Sequence, residues 1–414
     1  MRRVVITGLG ALTPIGENTA DFWKNIQEGK SGAGPITKFD TEKFRCRFAC
    51  ELKDFNPKDH FHVKELRKYD PFTQYAIYTA DQAIADANID FDTINKNRVG
   101  VIWGSGNGGI KSFQDQMKEY FAGDGTPRFT PFFIPLILVD MPAGIISMKH
   151  ELRGVNFCPV TACASSTTAI IEAFNHIRWD KAEMIIAGGS EAAITEGAMG
   201  GFASARALSL QNDAPETASR PYDVTRDGFV MGEGAGAMIL EEYEHAKKRG
   251  AKIYGEVIGG GQAADAYHLT GTHPNGEGAM LGMTEALREA KISPDDIDYI
   301  NMHATSTPQG DISELKAVER VFGERKTLSL SGTKSMTGHL LGATGVIEGI
   351  ATVLALRDGQ LPPTINTTEI IPEFKDKYHF PLGKTQKKEM KYAMSNTFGF
   401  GGHIASVVFK KFEE

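Results

Sequence analysis

Val155-Asn156-Phe157-Cys158-Pro159-Val160-Thr161 is a largely apolar run, and Ala162-Cys163-Ala164-Ser165-Ser166 follows it directly. The first stretch reads as a strand over 155–161. From Ala164 to about His176 the composition reads as a helix. Cys163 therefore lies where a strand hands over to a helix. A thiol at a helix start feels the positive end of the helix dipole, which lowers its pKa and favours the nucleophilic thiolate. Small neighbours leave room for a carbonyl group to approach. A buried structural cysteine is the other reading, and the commoner fate of a single Cys.

The same alternation recurs along the chain. Val4–Thr7 and Val99–Trp103 read as buried strands, and Gln74–Ala87 as a helix. Met184–Ala187 reads as a short strand closed by Gly188-Gly189. After Gly250 the pattern restarts, with strands expected at Ile253–Ile258 and Asp298–Met302. Helices are expected at Leu281–Lys291, Asp311–Phe322 and Val346–Leu356, and closing strands at Ala393–Ser395 and Ile404–Phe409. Alternating buried strands and helices predict an α/β layered fold. The restart divides the chain into two similar halves, 1–250 and 251–414.

Two later segments change the weight on Cys163. They are Asn301-Met302-His303-Ala304-Thr305-Ser306-Thr307-Pro308 and Gly332-Thr333-Lys334-Ser335-Met336-Thr337-Gly338-His339. Each sets a His in a Gly/Ser/Thr-rich stretch, where loops are expected. Two such His with a helix-start Cys suit a nucleophile with electrophilic helpers.

With Asn396-Thr397-Phe398-Gly399-Phe400-Gly401-Gly402, the opening Arg2-Arg3-Val4-Val5-Ile6-Thr7-Gly8-Leu9-Gly10 and Arg220-Pro221-Tyr222-Asp223, these segments resemble the β-ketoacyl-[acyl-carrier-protein] synthases. The synthase II type is the nearest match, and the likeness covers nearly the whole chain. It implies a thiolase-like fold of two similar α/β halves in a layered α-β-α-β-α arrangement. The first half would carry the nucleophile and the second both His. It implies decarboxylative Claisen condensation of an acyl thioester with malonyl-[acyl-carrier-protein], giving β-ketoacyl-[acyl-carrier-protein] in fatty acid chain elongation.

The resemblance also assigns roles. Cys163 would be acylated. His303 and His339 would stabilise the charge that decarboxylation builds on the malonyl thioester oxygen. Lys334 would support the His network, although a solvated loop Lys is the plainer reading. The backbone N–H groups of Cys163 and Phe400 would form an oxyanion hole. Gly399, Gly401 and Gly402 permit the close approach this needs, while a tight turn between strands explains the same run more simply. Thr305 and Thr307 would bind a pantetheine amide or merely shape their loop. Phe202, Phe398 and Thr270 complete the substrate-binding set. Asn107 stands where synthase II enzymes usually carry an apolar pocket residue, and His403 where a small polar residue is usual. Either departure would alter acyl specificity.

No cofactor is required by this chemistry. A structural monovalent cation is often present in the family, and its ligands here would be Asn301, Glu348, Ser395 and Asn396. The partner would be an acyl carrier protein, loaded with acyl or malonyl groups. Its acidic surface would dock on Lys64, Arg67, Lys68 and Arg206, for which a solvated charged face is the default explanation. The resemblance implies a homodimer.

Composition excludes several classes. Lys+Arg total 45 against 52 Asp+Glu, a net charge of −7, so no basic excess exists to neutralise nucleic-acid phosphates. No apolar run approaches membrane-spanning length, and the apolar part of the N-terminus is too short for a signal peptide. Cys46, Cys50, Cys158 and Cys163 suit a reducing, cytoplasmic setting. Phe44, Cys46, Phe48 and Cys50 alternate with Arg45 and Arg47, as in a strand with both thiols on its apolar face.

Competing functions remain. A degradative thiolase needs a base, usually a second Cys near the end, and no Cys follows Cys163. Synthase III and chalcone-type enzymes pair Cys with His and Asn, not with a second His. A cysteine hydrolase would leave one His unexplained. A ketosynthase of a specialised polyketide or polyene pathway fits the same residues. A non-catalytic chain-length partner subunit would lack the nucleophile.

Overall fold

The computed structural model describes residues 1–413. Ten strands form one hydrogen-bonded sheet: β1 (Val4–Leu12), β2 (Val99–Gly104), β3 (Asn156–Phe157), β4 (Met184–Glu191), β5 (Gly234–Glu242), β6 (Gly255–Ala264), β7 (Tyr299–Asn301), β8 (Ser329–Ser331), β9 (Tyr392–Gly399) and β10 (His403–Lys410). Their order is β8-β7-β9-β10-β6-β1-β5-β4-β2-β3. From either edge the sequence is third, second, fourth, fifth, first strand of that half. The inner strands β1 and β6 meet antiparallel, with Val4 opposite Val257 and Ile6 opposite Gly255. In each half the outer three strands are parallel and the next two antiparallel.

Six helices bear on the site: α1 (Pro71–Asp86), α2 (Ser165–Arg178), α3 (Glu277–Ala290), α4 (Pro308–Phe322), the short α5 (Lys334–Thr337) and α6 (Thr344–Asp358). Helix α1 covers the outer face of the first half, against β1, β4 and β5. Helix α3 covers the second half, against β6 and β10. Helices α2 and α6 touch strands of both halves and so lie between them. That makes five layers, α-β-α-β-α. Strands buried on both faces explain the unbroken apolar runs. Along β4, Ile185 and Ala187 join the central core, while Met184 and Ile186 join the outer one.

Three expectations need correction. The strand predicted over 155–161 is regular only at Asn156–Phe157, because the chain must turn toward Cys163. Strand β4 is not closed by Gly188-Gly189 but runs through them to Glu191. A Cβ on Gly188 would lie 2.3 Å from the Trp103 ring, and one on Gly189 2.5 Å from Ser166. These glycines make room for packing instead of ending the strand. The segment around Cys46 pairs only at Phe48–Ala49, although Cys46, Phe48 and Cys50 are all buried.

Candidate active site

Four loops converge where the two halves meet. Each contains backbone in the left-handed region, which non-glycine residues rarely adopt and which gathers at functional sites. Ala162 (φ 51°) precedes Cys163, and Ala304 (35°) and Ser306 (65°) follow His303. Gly338 (69°) and Leu341 (47°) flank His339, and Gly401 (84°) and Gly402 (77°) follow Phe400. Cys163, His303, His339, Phe398, Phe400, Phe202, Thr270, Thr305, Thr307 and Arg206 line one cavity of about 280 Å³.

Cys163 sits in a single tight turn, and α2 begins two residues later. Ser165 Oγ accepts from the Thr161 N–H at 3.0 Å and donates to the Ala162 carbonyl at 2.7 Å, fixing the turn. The backbone N–H groups of Phe400 and of Cys163 itself lie near enough to the sulfur to favour its anion. The approach is close: a Cβ on Gly399 would lie 2.5 Å from the Thr161 oxygen and 3.0 Å from the Cys163 nitrogen.

The helix start does not lower this thiol as expected. Burial pushes Cys163 up to about 12 and Glu191 adds to it; Lys334 and the two N–H groups oppose. A helix terminus supplies about 0.3–1 kcal/mol, less than the desolvation of a buried anion. The resting side chain is therefore a thiol, and a proton acceptor must accompany its reaction.

His303 and His339 meet edge to face, ring centroids 5.3 Å apart at 84°. Both are buried, and burial holds both well below the ordinary imidazole value. Lys334 lowers each further, and His339 also lowers His303. Glu314, on α4, accepts the backbone N–H groups of His303 and Ala304, both at 2.8 Å. His339 Nδ1 lies 3.0 Å from Thr344 Oγ1. Phe398 packs on His303 and Phe229 on His339, while Phe202 bridges Phe229 and Phe400.

Lys334 is not a loop Lys in solvent. Its side chain is 1% exposed, and the ammonium bonds both Glu348 oxygens at 2.7 and 2.9 Å. Burial pushes Glu348 up to about 7 against the pull of Lys334. Thr307 Oγ1 caps α4 by accepting the Gly310 N–H at 3.2 Å, and Thr305 Oγ1 lies 3.1 Å from it.

Other predicted residues lie apart. Asn107 does not line the cavity; its backbone N–H donates to Glu191 Oε1 at 3.1 Å, behind the Cys163 turn. Lys64, Arg67 and Lys68 are exposed and do not line it either, whereas Arg206 stands on the rim. His403 is exposed beside Gly401. Asn301 and Ser395 are register partners on β7 and β9. Their side-chain oxygens have no hydrogen-bond partner among the described residues. Asn396, one residue on, bonds Glu314 and Ser406 instead, so its side chain lies on the opposite face of the strand from Ser395. Sequence reasoning missed Glu191 and overlooked Glu314 as a site residue, because neither belongs to a motif.

Comparison with known proteins decides the family. The β-ketoacyl synthase N-terminal domain matches residues 1–246, and its C-terminal domain residues 254–368. The chain belongs to the β-ketoacyl synthase family. It is 47% identical over 413 residues to 3-oxoacyl-[acyl-carrier-protein] synthase 2 of Staphylococcus aureus (strain COL), covering 100% of this chain and 99% of that one. Among solved structures, the ishigamide ketosynthase/chain length factor is similar at TM-score 0.92 and 31% identity, covering 100% of both chains. A ketosynthase of a type II polyketide system, solved with its acyl-carrier protein and a hexaketide, is similar at TM-score 0.89 and 30% identity, again covering 100% of both. The thiolase-like fold expected of a synthase is the fold observed.

Proposed function

We propose that this synthase is an acyltransferase joining an acyl thioester to malonyl-[acyl-carrier-protein] by decarboxylative Claisen condensation, in fatty acid elongation. The observation that carries the site assignment is one cavity holding Cys163, the Phe398–Phe400 loop and the perpendicular His pair.

The Cys163 proton passes to a neutral imidazole as the sulfur attacks the acyl thioester carbonyl. The N–H groups of Cys163 and Phe400 receive the oxyanion. The carrier thiolate leaves and takes up the proton, and the acyl group remains on Cys163. Malonyl thioester then loses carbon dioxide, and the electron pair of the broken C–C bond moves to the thioester oxygen as an enolate. His303 and His339 donate N–H bonds to that oxygen. A Thr344 hydroxyl donating to His339 Nδ1 would leave the proton on Nε2, free to do this. The enolate carbon attacks acyl-Cys163, and collapse of the tetrahedral adduct expels the Cys163 thiolate, which takes a proton from water to restore the thiol.

Burial keeps both imidazoles neutral and Lys334 adds to it, while Glu348 holds Lys334. Asn301 Oδ1 and Ser395 Oγ, both without a hydrogen-bond partner among the described residues, are the oxygens that would hold a monovalent cation supplying local charge balance, while both Glu348 carboxylate oxygens are taken by Lys334. The Asn396 side chain is outside that set.

A carrier protein as partner is supported by the solved ketosynthase complex with its carrier. Arg206 on the rim, with exposed Lys64, Arg67 and Lys68, is the basic surface for it. A homodimer is supported by the exposed apolar side chains Phe113, Phe121, Ile134, Leu138 and Val160, and by β3 standing at a free edge of the sheet. The boundary near residue 250 is supported by the repeated strand order. A cytoplasmic setting is supported by four free cysteines. Among the described residues no helix is long and apolar enough to cross a membrane.

Mass spectrometry of the protein after exposure to a panel of acyl-carrier thioesters tests this reading. Saturated acyl groups should appear on Cys163 and nowhere else, and Cys163→Ala should neither load nor condense. Loading by polyketide or polyene chains alone would point to a specialised pathway.

A further inference from the structure

Glu191, the last residue of β4, is a fully buried carboxylate that the condensation chemistry does not use. Its Oε2 accepts the N–H of Gly106 at 2.9 Å and of Gly342 at 3.0 Å. Its Oε1 accepts the Asn107 N–H at 3.1 Å and the Ser105 hydroxyl at 3.3 Å. Four donors from two separate loops therefore end on one side chain.

Those loops are the supports of the site. The 105–107 loop underlies the Cys163 turn: Ser165 Oγ reaches the Ser105 carbonyl at 3.3 Å as well as that of Ala162. A Cβ on Gly106 would lie 3.1 Å from Glu191 Oε2 and 3.5 Å from the Ala162 oxygen. Gly342 belongs to the turn after His339, beside Leu341 at φ 47°. A Cβ on Gly342 would lie 2.4 Å from the Gly106 nitrogen and 2.9 Å from Glu191 Oε2. Nothing larger than glycine fits between the two loops, and the carboxylate is the group that ties them.

We propose that Glu191 is a positioning residue that clamps the Cys163 turn to the His339 turn and sets the separation of sulfur and imidazole. The proposal rests on the nucleophile and helper roles given above. A carboxylate suits the place because it only accepts hydrogen bonds and offers about four lone pairs to four donors. Its charge has a second effect. The charged and titratable groups around Cys163 are Glu191 from β4 and Lys334 from α5, with His303, His339, Asp265, Glu314 and Arg206 on the cavity it lines; Glu191 also acts on the Cys158 thiol. Of the carboxylates, Glu191 is the one held against the Cys163 turn by its hydrogen bonds, and it opposes ionisation of Cys163.

Two substitutions separate the clamp from the charge. Glu191→Asp keeps the charge but is one methylene too short to reach both loops. Glu191→Gln keeps the length but loses the charge and turns one acceptor into a donor facing donors. Each full-length variant is compared with wild type for condensation kcat and KM, and for the rate of Cys163 alkylation by iodoacetamide across pH, mapped by mass spectrometry.

Glu191→Asp should lose about 10²-fold in kcat, the cost of an ångström-scale misplacement, with KM for acyl carrier little changed. Its alkylation profile should follow wild type. Glu191→Gln should also lose kcat, but its Cys163 should alkylate about ten-fold faster at pH 8, one pKa unit for one nearby charge removed. Wild-type kcat in both folded variants overturns the proposal, as does a Glu191→Gln profile that superimposes on wild type. Should both fail to fold, Ser105→Ala decides. It removes one donor, and a several-fold loss of kcat at unchanged KM supports the clamp, whereas a wild-type value overturns it. Condensation by Cys163→Ala would instead overturn the underlying assignment of the nucleophile.

Discussion

The Lys334 ammonium lies 2.7 and 2.9 Å from the two carboxylate oxygens of Glu348, and both side chains are almost wholly buried. Removing one partner leaves an uncompensated charge inside the protein. Glu348→Leu or Lys334→Met alone should cost about 3–5 kcal/mol of stability, while the double substitution should recover most of it. Urea unfolding of the three variants checks this. Condensation should remain low in the double variant, because the cation beside both imidazoles is gone. Equal recovery of stability and activity would make the pair purely structural.

His303→Ala and His339→Ala should each slow malonyl decarboxylation by ~10²–10³-fold, the scale of losing one oxyanion donor. Acyl transfer to Cys163 has its own pair of N–H donors and needs only one imidazole as proton acceptor, which each variant retains, so it should suffer less. Carbon dioxide release and acyl-Cys163 formation, followed separately, test the division. Equal losses in both half-reactions contradict it.

The motif loops were legible in the sequence because their function demands rare local chemistry. A helix-start Cys, two His among small polar residues and a run of glycines stand out without a structure. Glu191 does not, since its partners are 85 and 151 residues away and are mostly backbone N–H groups. Strand β5 escaped notice because it opens on Gly234-Ala235-Gly236-Ala237, which carries no β-branched side chain to signal it. The resemblance implied Ser395 and Asn396 as joint ligands, and the sequence marks a strand only over Ala393–Ser395. The full length of β9 puts adjacent side chains on opposite faces.

The two imidazoles make a pH prediction. Both sit well below the ordinary value near 6.5, chiefly through burial. They therefore stay neutral as pH falls from 8 toward 6.5, and decarboxylation should hold its rate over that range. Stability carries a matching sign. An unfolded imidazole binds a proton near pH 6.5 that the folded one refuses, so each His contributes stability present above that pH and lost as pH falls. The buried carboxylates Glu314 and Glu348, pushed up to about 7, act in the opposite direction. The readout is thus the difference in melting temperature between wild type and His303→Asn from pH 8 to pH 5. Wild type should lose more on acidification, and parallel curves would contradict the lowered ring.

Gly399 tests the oxyanion hole by space alone. A methyl group there would lie 2.5 Å from the Thr161 oxygen, 3.0 Å from the Cys163 nitrogen and 3.2 Å from the Ala162 Cβ. Two of these contacts are backbone, so no side chain can swing aside to relieve them. The Phe400 loop must move away from the Cys163 turn, and with it the Phe400 N–H that favours the anion there. The turn itself is held from the other side by Ser165 and should stay in place. Gly399→Ala should therefore slow acyl transfer to Cys163 by ~10²–10³-fold, the scale of one lost oxyanion donor. Malonyl decarboxylation, which uses the His pair, should fall less. Stopped-flow acylation and carbon dioxide release on the same preparation give the comparison. A variant that is folded and acylates at the wild-type rate would remove Phe400 from the oxyanion hole.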